Sequence, residues 1–441
     1  MNKDKTKHYA SLFEPDGNPG LKKALPMALQ HVLAMIVGCV TPAIIIAGVG
    51  GLDAGDKVIL VQAALFIAAV STLIQLFPIG KHIGSGLPMI LGVGFAYLPT
   101  IQAIADSYDI ATILGSQLIA GVCAVIVGLF IKKLRIFFPP MITGIVIFTI
   151  GLSLYPTAIN YMAGGVASKT YGSWQNWLVA LITLSVVIFC NHYAKGTLKI
   201  ASILAGIIVG YIISLFFGMV NFDAVGSASA LQLPKPMYFG MKFEPSAIIS
   251  LSVLFVINSI QAVGDFTATT VGGMDREPSD RELQGGIVAY GLSNILGSFV
   301  GGLPTATYSQ NVGIVSITKV VNRMVFALAA IIILIGGFVP KFSALLTTIP
   351  QCVLGGATIS VFATIAMTGL KLIFKAPMNF RNTSVVGLSV AIGMGITQAS
   401  ASLAQFPQWV TVIFGKSPVV LATISAILLN HILPDPDRNK K

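Results

Sequence analysis

The chain has 441 residues, 55% of them hydrophobic and 10% charged, with 27 Lys and Arg against 16 Asp and Glu for a formal net charge of +11. A soluble domain carries about 25% charged residues, and with a mean hydropathy of +0.86 this composition excludes a water-soluble globular protein and implies a bilayer. The positive charge does not imply nucleic acid, because the basic residues form no patch and sit in short loops between apolar runs, the positive-inside pattern of membrane proteins.

The N-terminus is polar, with no cleavable signal pattern, and the first apolar run starts near Pro26. A spanning helix needs roughly 20 apolar residues. Fourteen candidate spans follow in chain order: 27–49, 58–78, 87–104, 110–131, 139–158, 176–192, 200–220, 246–270, 285–302, 303–318, 323–339, 349–374, 383–400 and 417–434. The third and tenth are short and broken by Gly and Pro, so they are the least helical. With the N-terminus in the cytoplasm, alternation puts 21 of the 27 basic residues on the cytoplasmic side and leaves Lys57, Lys169, Lys235, Lys242, Lys341 and Lys416 outside. That asymmetry supports both the count and the orientation. Cys39, Cys123, Cys190 and Cys352 lie far apart in apolar runs, so neither a disulfide framework nor a metal site is expected.

The chain repeats itself. Gly86-Leu87-Pro88 opens the third run and Gly302-Leu303-Pro304 the tenth, an offset of 216; Pro139 to Gly144 opens the fifth and Pro350 to Gly355 the twelfth, an offset of 211. Gly and Pro punctuation gives single matches of this length by chance; the shared offset argues against chance. Each half holds seven runs, an odd number, so the second half is inverted relative to the first. Matching Gly/Pro-interrupted segments in inverted repeats point to a transporter binding site.

Of the sixteen acidic residues, only Asp265 falls inside a span. An Asp at the bilayer centre costs ~2.5–3.5 kcal/mol on insertion scales, so it needs a partner, a cavity or a task. It is either a structural hydrogen bond between helices or a proton site or site organiser. His31, early in the first span, carries the same two readings, helix–helix bond or proton coupling; His192 and His431 fall at span ends. Gln261 and Asp265 are four apart and share a helix face. In Pro304 to Gly313, the β-prone Thr and Tyr before Gln310 imply extended backbone, and the residues from Gly313 a helix start, whose free N–H groups bind polar ligand atoms. The amides of Gln261 and Gln310 with one aromatic face, from Phe95, suit a flat ligand with alternating donors and acceptors, and Tyr308 beside Gln310 is a further candidate for the binding site. Each net hydrogen bond contributes only ~0.5–1.5 kcal/mol, so several must converge.

These residues resemble the nucleobase–ascorbate transporter family, also called nucleobase–cation symporter family 2. Its signature, Gln/Glu-Asn-x-Gly followed after four residues by Thr and a basic residue or Gly, reads here Gln310-Asn311-Val312-Gly313 and Thr318-Lys319. Gln261 to Asp265, Leu29 to Val32 and Gly94-Phe95-Ala96 match further family blocks, and the resemblance spans residues 20–434. It implies an all-α polytopic membrane protein of fourteen segments in seven-plus-seven inverted repeats, with short β-strands in segments 3 and 10. Residues 26–135 and 246–340 are then a core domain that carries substrate, 136–222 and 341–434 a gate domain that dimerises, and 1–25 and 435–441 cytoplasmic tails. The core slides against the gate as an elevator in the cytoplasmic membrane. By position, Gln310 hydrogen-bonds the base, Ser309 offers its backbone N–H, Phe95 stacks, Asn311 supports the binding loop, and Asp265 organises the eighth span or serves as the proton site. The implied partners are a nucleobase and a coupling proton or Na+; no cofactor, metal or nucleic acid is expected.

The chain departs from the family at two positions: the eighth-span carboxylate is Gln261, and an acidic residue common on the ninth span is Tyr290. An ionised carboxylate only accepts, whereas Gln also donates, and its loss leaves Asp265 and His31 as proton candidates. Gln310 and Asp265 match the purine transporters, so xanthine or uric acid is favoured over uracil. A uracil permease and an anion transporter of the same fold are the alternatives. A membrane enzyme and a channel are disfavoured by the lack of a metal cluster, P-loop, nucleophile–base pair or charged ring.

Overall fold

The computed structural model describes residues 11–80, 82–134, 139–166, 168–407, 410–415 and 417–434. Residues 1–10 of the expected N-terminal tail, the whole expected tail 435–441, and Lys81, Arg135 and Lys416 of the loop-charge pattern lie outside the described residues.

The first half runs α1 (Leu21–Val49), α2 (Ala54–Leu76), β1 (Leu91–Val93), α3 (Leu98–Ser107), α4 (Ile110–Leu134), α5 (Pro140–Met162), α6 (Trp174–Tyr193) and α7 (Ser202–Phe216). The second runs α8 (Pro245–Met274), α9 (Asp280–Val300), β2 (Thr305–Thr307), α10 (Ser309–Thr318), α11 (Arg323–Phe338), α12 (Pro340–Thr347), α13 (Gln351–Ile373), α14 (Phe380–Gln398) and α15 (Pro418–Ile432). Lengths match in order: α1 and α8 have 29 and 30 residues, α3 and α10 have 10 each, α5 and α13 have 23 each, and α7 and α15 have 15 each. The fourth pair breaks the match, because α11 and α12 bend by 85° where α4 is continuous.

Local chemistry sets the helix ends. Asp53 accepts from the Asp56 N–H at 2.8 Å to start α2, and Ser279 and Glu282 form a capping box at α9. Asp275 and Lys319 end α8 and α10 in the left-handed region, φ 52° and 57°, and their side chains pair at 2.9 Å.

Among the described residues, eight helices are long and apolar enough to cross a membrane, or nine if α11 and α12 count as one bent span. The number is below fourteen because segments 3 and 10 are each split into a strand and a ten-residue helix. A ten-residue helix rises only about 15 Å, half the roughly 30 Å hydrocarbon core. The 15-residue α7 and α15 fall short in the same way, and the 19-residue α14, which opens on Phe380-Arg381-Asn382, is long enough but not apolar enough.

The two strands meet antiparallel, Leu91 opposite Thr307, Gly92 opposite Ala306 and Val93 opposite Thr305. Glycine is required for this approach: a Cβ on Gly94 would lie 2.7 Å from the Ala306 Cβ, and one on Gly92 2.7 Å from the Tyr308 hydroxyl. A two-stranded sheet leaves two outer edges, and unpaired backbone groups at membrane depth need partners. Thr72 of α2 serves β1, accepting from the Leu91 N–H at 3.0 Å and donating to its carbonyl at 3.2 Å. Asn294 of α9 serves β2, accepting from the Thr305 N–H at 2.8 Å and donating to its carbonyl at 3.3 Å.

Around this sheet the helices pack in two groups. In one, α1 and α2 pack on α11, and α4 packs on α8 and α9; in the other, α5 packs on α13 and α15, α6 on α7 and α13, and α14 on α15. Two side-chain hydrogen bonds between the groups are Thr100 to Ser417, 2.7 Å between hydroxyls, and Thr157 to Gln102, 3.4 Å.

Candidate functional site

The site forms where β1, β2 and α8 face α5 and α13. Tyr308, after β2, accepts from the N–H groups of Asn311 at 3.0 Å and Val312 at 3.2 Å. These bonds start α10 at Ser309, four residues earlier than the helix start expected at Gly313. A first helical turn has no internal acceptor for its leading N–H groups, so those of Ser309 and Gln310 remain available at the cavity.

The buried Asp265 sits behind this start. Its Oδ1 accepts from the Ser309 hydroxyl at 2.8 Å, and its Oδ2 accepts from the Thr307 hydroxyl. The carboxylate thereby holds the last residue of β2 and the first of α10 together. It does not line the cavity, whereas Gln261, one turn earlier on α8, does.

Asn311 turns the other way. Its side-chain amide donates to the carbonyl oxygen of His31 at 3.1 Å and lies 3.0 Å from His31 Nδ1. A carbonyl can only accept, so the amide nitrogen faces it, and Nδ1 must then accept too; this assigns the imidazole proton to Nε2. His31 also packs against Phe326 of α11, ring centroids 4.4 Å apart. Asn311, expected to support the binding loop, and His31, expected as a helix–helix bond or a proton-coupling group, are thus buried beside the cavity and bonded to each other.

A cavity of about 120 Å³ remains. Gln261, Ser309 and Gln310 line one side, and no hydrogen bond among the described residues engages the Gln261 and Gln310 amides. Phe95 and Tyr308 supply aromatic surface. The Tyr308 hydroxyl is spent on the Val93 carbonyl at 2.7 Å, so Tyr308 offers ring rather than donor. Phe95 meets Phe362 of α13 edge-on at 5.1 Å. The facing wall, from Ile147 and Ile150 of α5 and Val361, Thr364 and Thr368 of α13, had no sequence signal, because nothing in those regular apolar helices marks which face looks inward. No charged side chain lines the cavity among the described residues.

Gly313, Thr318 and Lys319 of the signature stand away from the cavity. Gly313 has open space where a Cβ would go, Thr318 donates to the Ile314 carbonyl at 2.8 Å, and Lys319 pairs with Asp275. They shape the far end of α10. Among the described residues no group of His, Cys, Asp and Glu could hold a metal.

Residues 22–402 match the family described as the permease family. A xanthine permease of Bacillus subtilis is 33% identical over 416 residues, 94% of this chain and 94% of its own length. A uric acid permease of the same organism is 34% identical over 406 residues, 92% of this chain and 94% of its own. The chain belongs to the nucleobase–ascorbate transporter family. The family is one of permeases, not of enzymes, and this member is a multi-pass membrane protein. Two solved structures share the fold at low identity. The transmembrane domain of a cyanobacterial bicarbonate transporter superposes with a TM-score of 0.56 at 17% identity, covering 92% of this chain and 97% of that one. A murine solute carrier 26 anion transporter, solved in the inward-facing state, gives 0.61 at 10% identity, covering 98% and 72%. In the nucleobase–ascorbate frame the two departures fall in different places: Gln261 lines the cavity, and Tyr290 is fully buried in α9 outside it.

Proposed function

We propose that the protein imports a purine nucleobase, xanthine or uric acid, across the cytoplasmic membrane by alternating access, coupled to protons. The observation that supports this best is the convergence of two unengaged amides, Gln261 and Gln310, with the Phe95 ring on one small uncharged cavity. Each amide offers a donor and an acceptor in one plane, and the edge of a purine dione presents both. Ser309 and Gln310 add backbone N–H groups toward its carbonyls, and Phe95 covers its face. The xanthine and uric acid permeases that align over nearly the whole chain support the same substrate class.

The group containing α1–α4 and α8–α11 is the moving core, and the group containing α5–α7 and α13–α15 is the gate, through which two copies dimerise. All fourteen segments cross or enter the bilayer, with both termini cytoplasmic. In this orientation the Thr100–Ser417 contact closes the outer side of the cavity, and the exposed Thr364 and Thr368 lie toward the cytoplasm. Asp265 holds the binding loop, and its protonation would release the Thr307 or Ser309 hydroxyl, which links proton uptake to the site. One charge crossing 100 mV gains ~2.3 kcal/mol, or roughly fiftyfold accumulation.

The test is uptake of labelled xanthine, uric acid and uracil by cells expressing the protein, with and without a protonophore. Concentrative purine uptake that collapses with the protonophore is expected. Uptake of uracil alone would overturn the substrate assignment, and purine accumulation indifferent to the protonophore would overturn the proton coupling.

A further inference from the structure

Tyr97 and Tyr290 are both fully buried, and their hydroxyls hydrogen-bond to each other between the turn after β1 and helix α9. Phe255 of α8 packs against both, its ring centroid 4.9 Å from Tyr97 and 5.7 Å from Tyr290. Tyr97 closes a single 3-10 turn, Phe95–Tyr97, that joins β1 to α3. Residues two apart on such a turn point to different sides, because one turn takes three residues. Phe95 accordingly faces the cavity and Phe362, while Tyr97 faces back into α8 and α9. Backbone bonds also hold the turn, Gly94 N–H to the Pro304 carbonyl at 3.1 Å, Tyr97 N–H to the Gly94 carbonyl at 3.3 Å and Leu98 N–H to the Phe95 carbonyl.

We propose that the Tyr97–Tyr290 hydroxyl pair positions the ligand-stacking ring: it pins the turn from behind and so sets the plane in which Phe95 meets the purine. Neither tyrosine lines the cavity, so both are positioning residues. The chemistry fits the pocket at position 290. A carboxylate among Phe255 and Tyr97 would bring a charge into an apolar pocket, whereas two hydroxyls serve as donor and acceptor to each other and stay neutral. The proposal rests on Phe95 being the stacking ring.

Losing one hydroxyl leaves the other buried without its partner, and the orphan must turn toward another acceptor; losing both leaves nothing to satisfy. The experiment measures KM, Vmax and membrane expression for Tyr97→Phe, Tyr290→Phe, the double variant and Phe95→Ala. Each single Phe variant is expected to raise the purine KM by about tenfold, equivalent to 1.4 kcal/mol, with Vmax little changed. The double variant is expected to show the same rise of about tenfold rather than the product of the two, because either substitution already breaks the one shared bond, the non-additivity of a directly coupled pair. Single variants that lose thermal stability but keep the wild-type KM would make the pair packing only and overturn the proposal. So would a double variant with the wild-type KM, because the turn would then hold its plane without the pair. If a single variant fails to reach the membrane, the double variant still decides, because it has no orphaned hydroxyl: a raised KM there is the lost pin alone, and a wild-type KM overturns the positioning. Phe95→Ala with a normal KM would sink the stacking assignment itself, a separate result from either tyrosine outcome.

Discussion

The segment around β1 and the segment around β2 have the same parts in the same order, a three-residue strand and a ten-residue helix. Their strands pair, yet their chemistry differs. Before α3 comes an aromatic 3-10 turn, and Phe95 is that segment's ring at the cavity. The second segment passes straight from β2 into α10, and its Ser309 and Gln310 bring polar atoms to the cavity. Each is held from behind by the group its character demands. The aromatic turn is pinned by a neutral hydroxyl pair, Tyr97 with Tyr290; the polar loop is pinned by a carboxylate, Asp265, that accepts two hydroxyls at once. A repeated backbone therefore supplies position, and the residues that differ between the repeats supply function.

The comparison can be broken from the polar side first. Gln310→Ala removes a paired donor and acceptor at the cavity, and purine uptake is expected to vanish while membrane expression persists. Normal uptake by that variant would remove the tenth segment from the binding site. Locking the two helix groups together comes next. The Thr100 and Ser417 hydroxyls are 2.7 Å apart, which brings the side chains within disulfide reach. Oxidised Thr100→Cys/Ser417→Cys is expected to stop uptake and to recover on reduction; a cross-linked protein that still transports would contradict sliding of the core against the gate.

Asp265→Asn tests the anchor. An amide has one oxygen where the carboxylate had two, so either Thr307 or Ser309 loses its acceptor, and concentrative uptake is expected to fall to equilibration. Unchanged accumulation would exclude Asp265 as the proton-linked group. The smallest effect is expected far from the site. Burial tends to raise the Asp109 carboxyl, but the Lys242 ammonium and the Thr112 hydroxyl and amide outweigh it and hold it below the ordinary carboxylate value. A carboxylate depressed on folding contributes stability above its unfolded value and loses it as pH falls through its folded value. Asp109→Asn should therefore lower the melting temperature slightly at neutral pH, within the ~0.2–1 kcal/mol of an exposed pair, and the gap to wild type should close in acid. A gap that widens in acid would reverse the sign.

Much of the site was legible along the chain, because its signals are local. Gln310 and Asn311 stand in a contiguous signature, Asp265 is conspicuous as an acid inside an apolar run, and Gly and Pro mark where two segments cannot stay helical. Other positions were misplaced or missed for a common reason. Asn311 and Gln310 are neighbours, yet one side chain is spent on His31 and only the other reaches the cavity. Tyr290 read as the loss of an acid until Tyr97, 193 positions away, met its hydroxyl.

The sequence by itself determined the membrane class, the repeat and the list of polar residues, since composition and spacing along the chain carry all three, and the residues from Gln310 to Lys319 carry the resemblance to the family. Only the tertiary structure decided which of those polar atoms are already satisfied by one another. A hydrogen bond at membrane depth depends on a few tenths of an ångström between residues up to hundreds of positions apart, and the cavity-lining amides left without partners among the described residues, those of Gln261 and Gln310, mark where a ligand belongs.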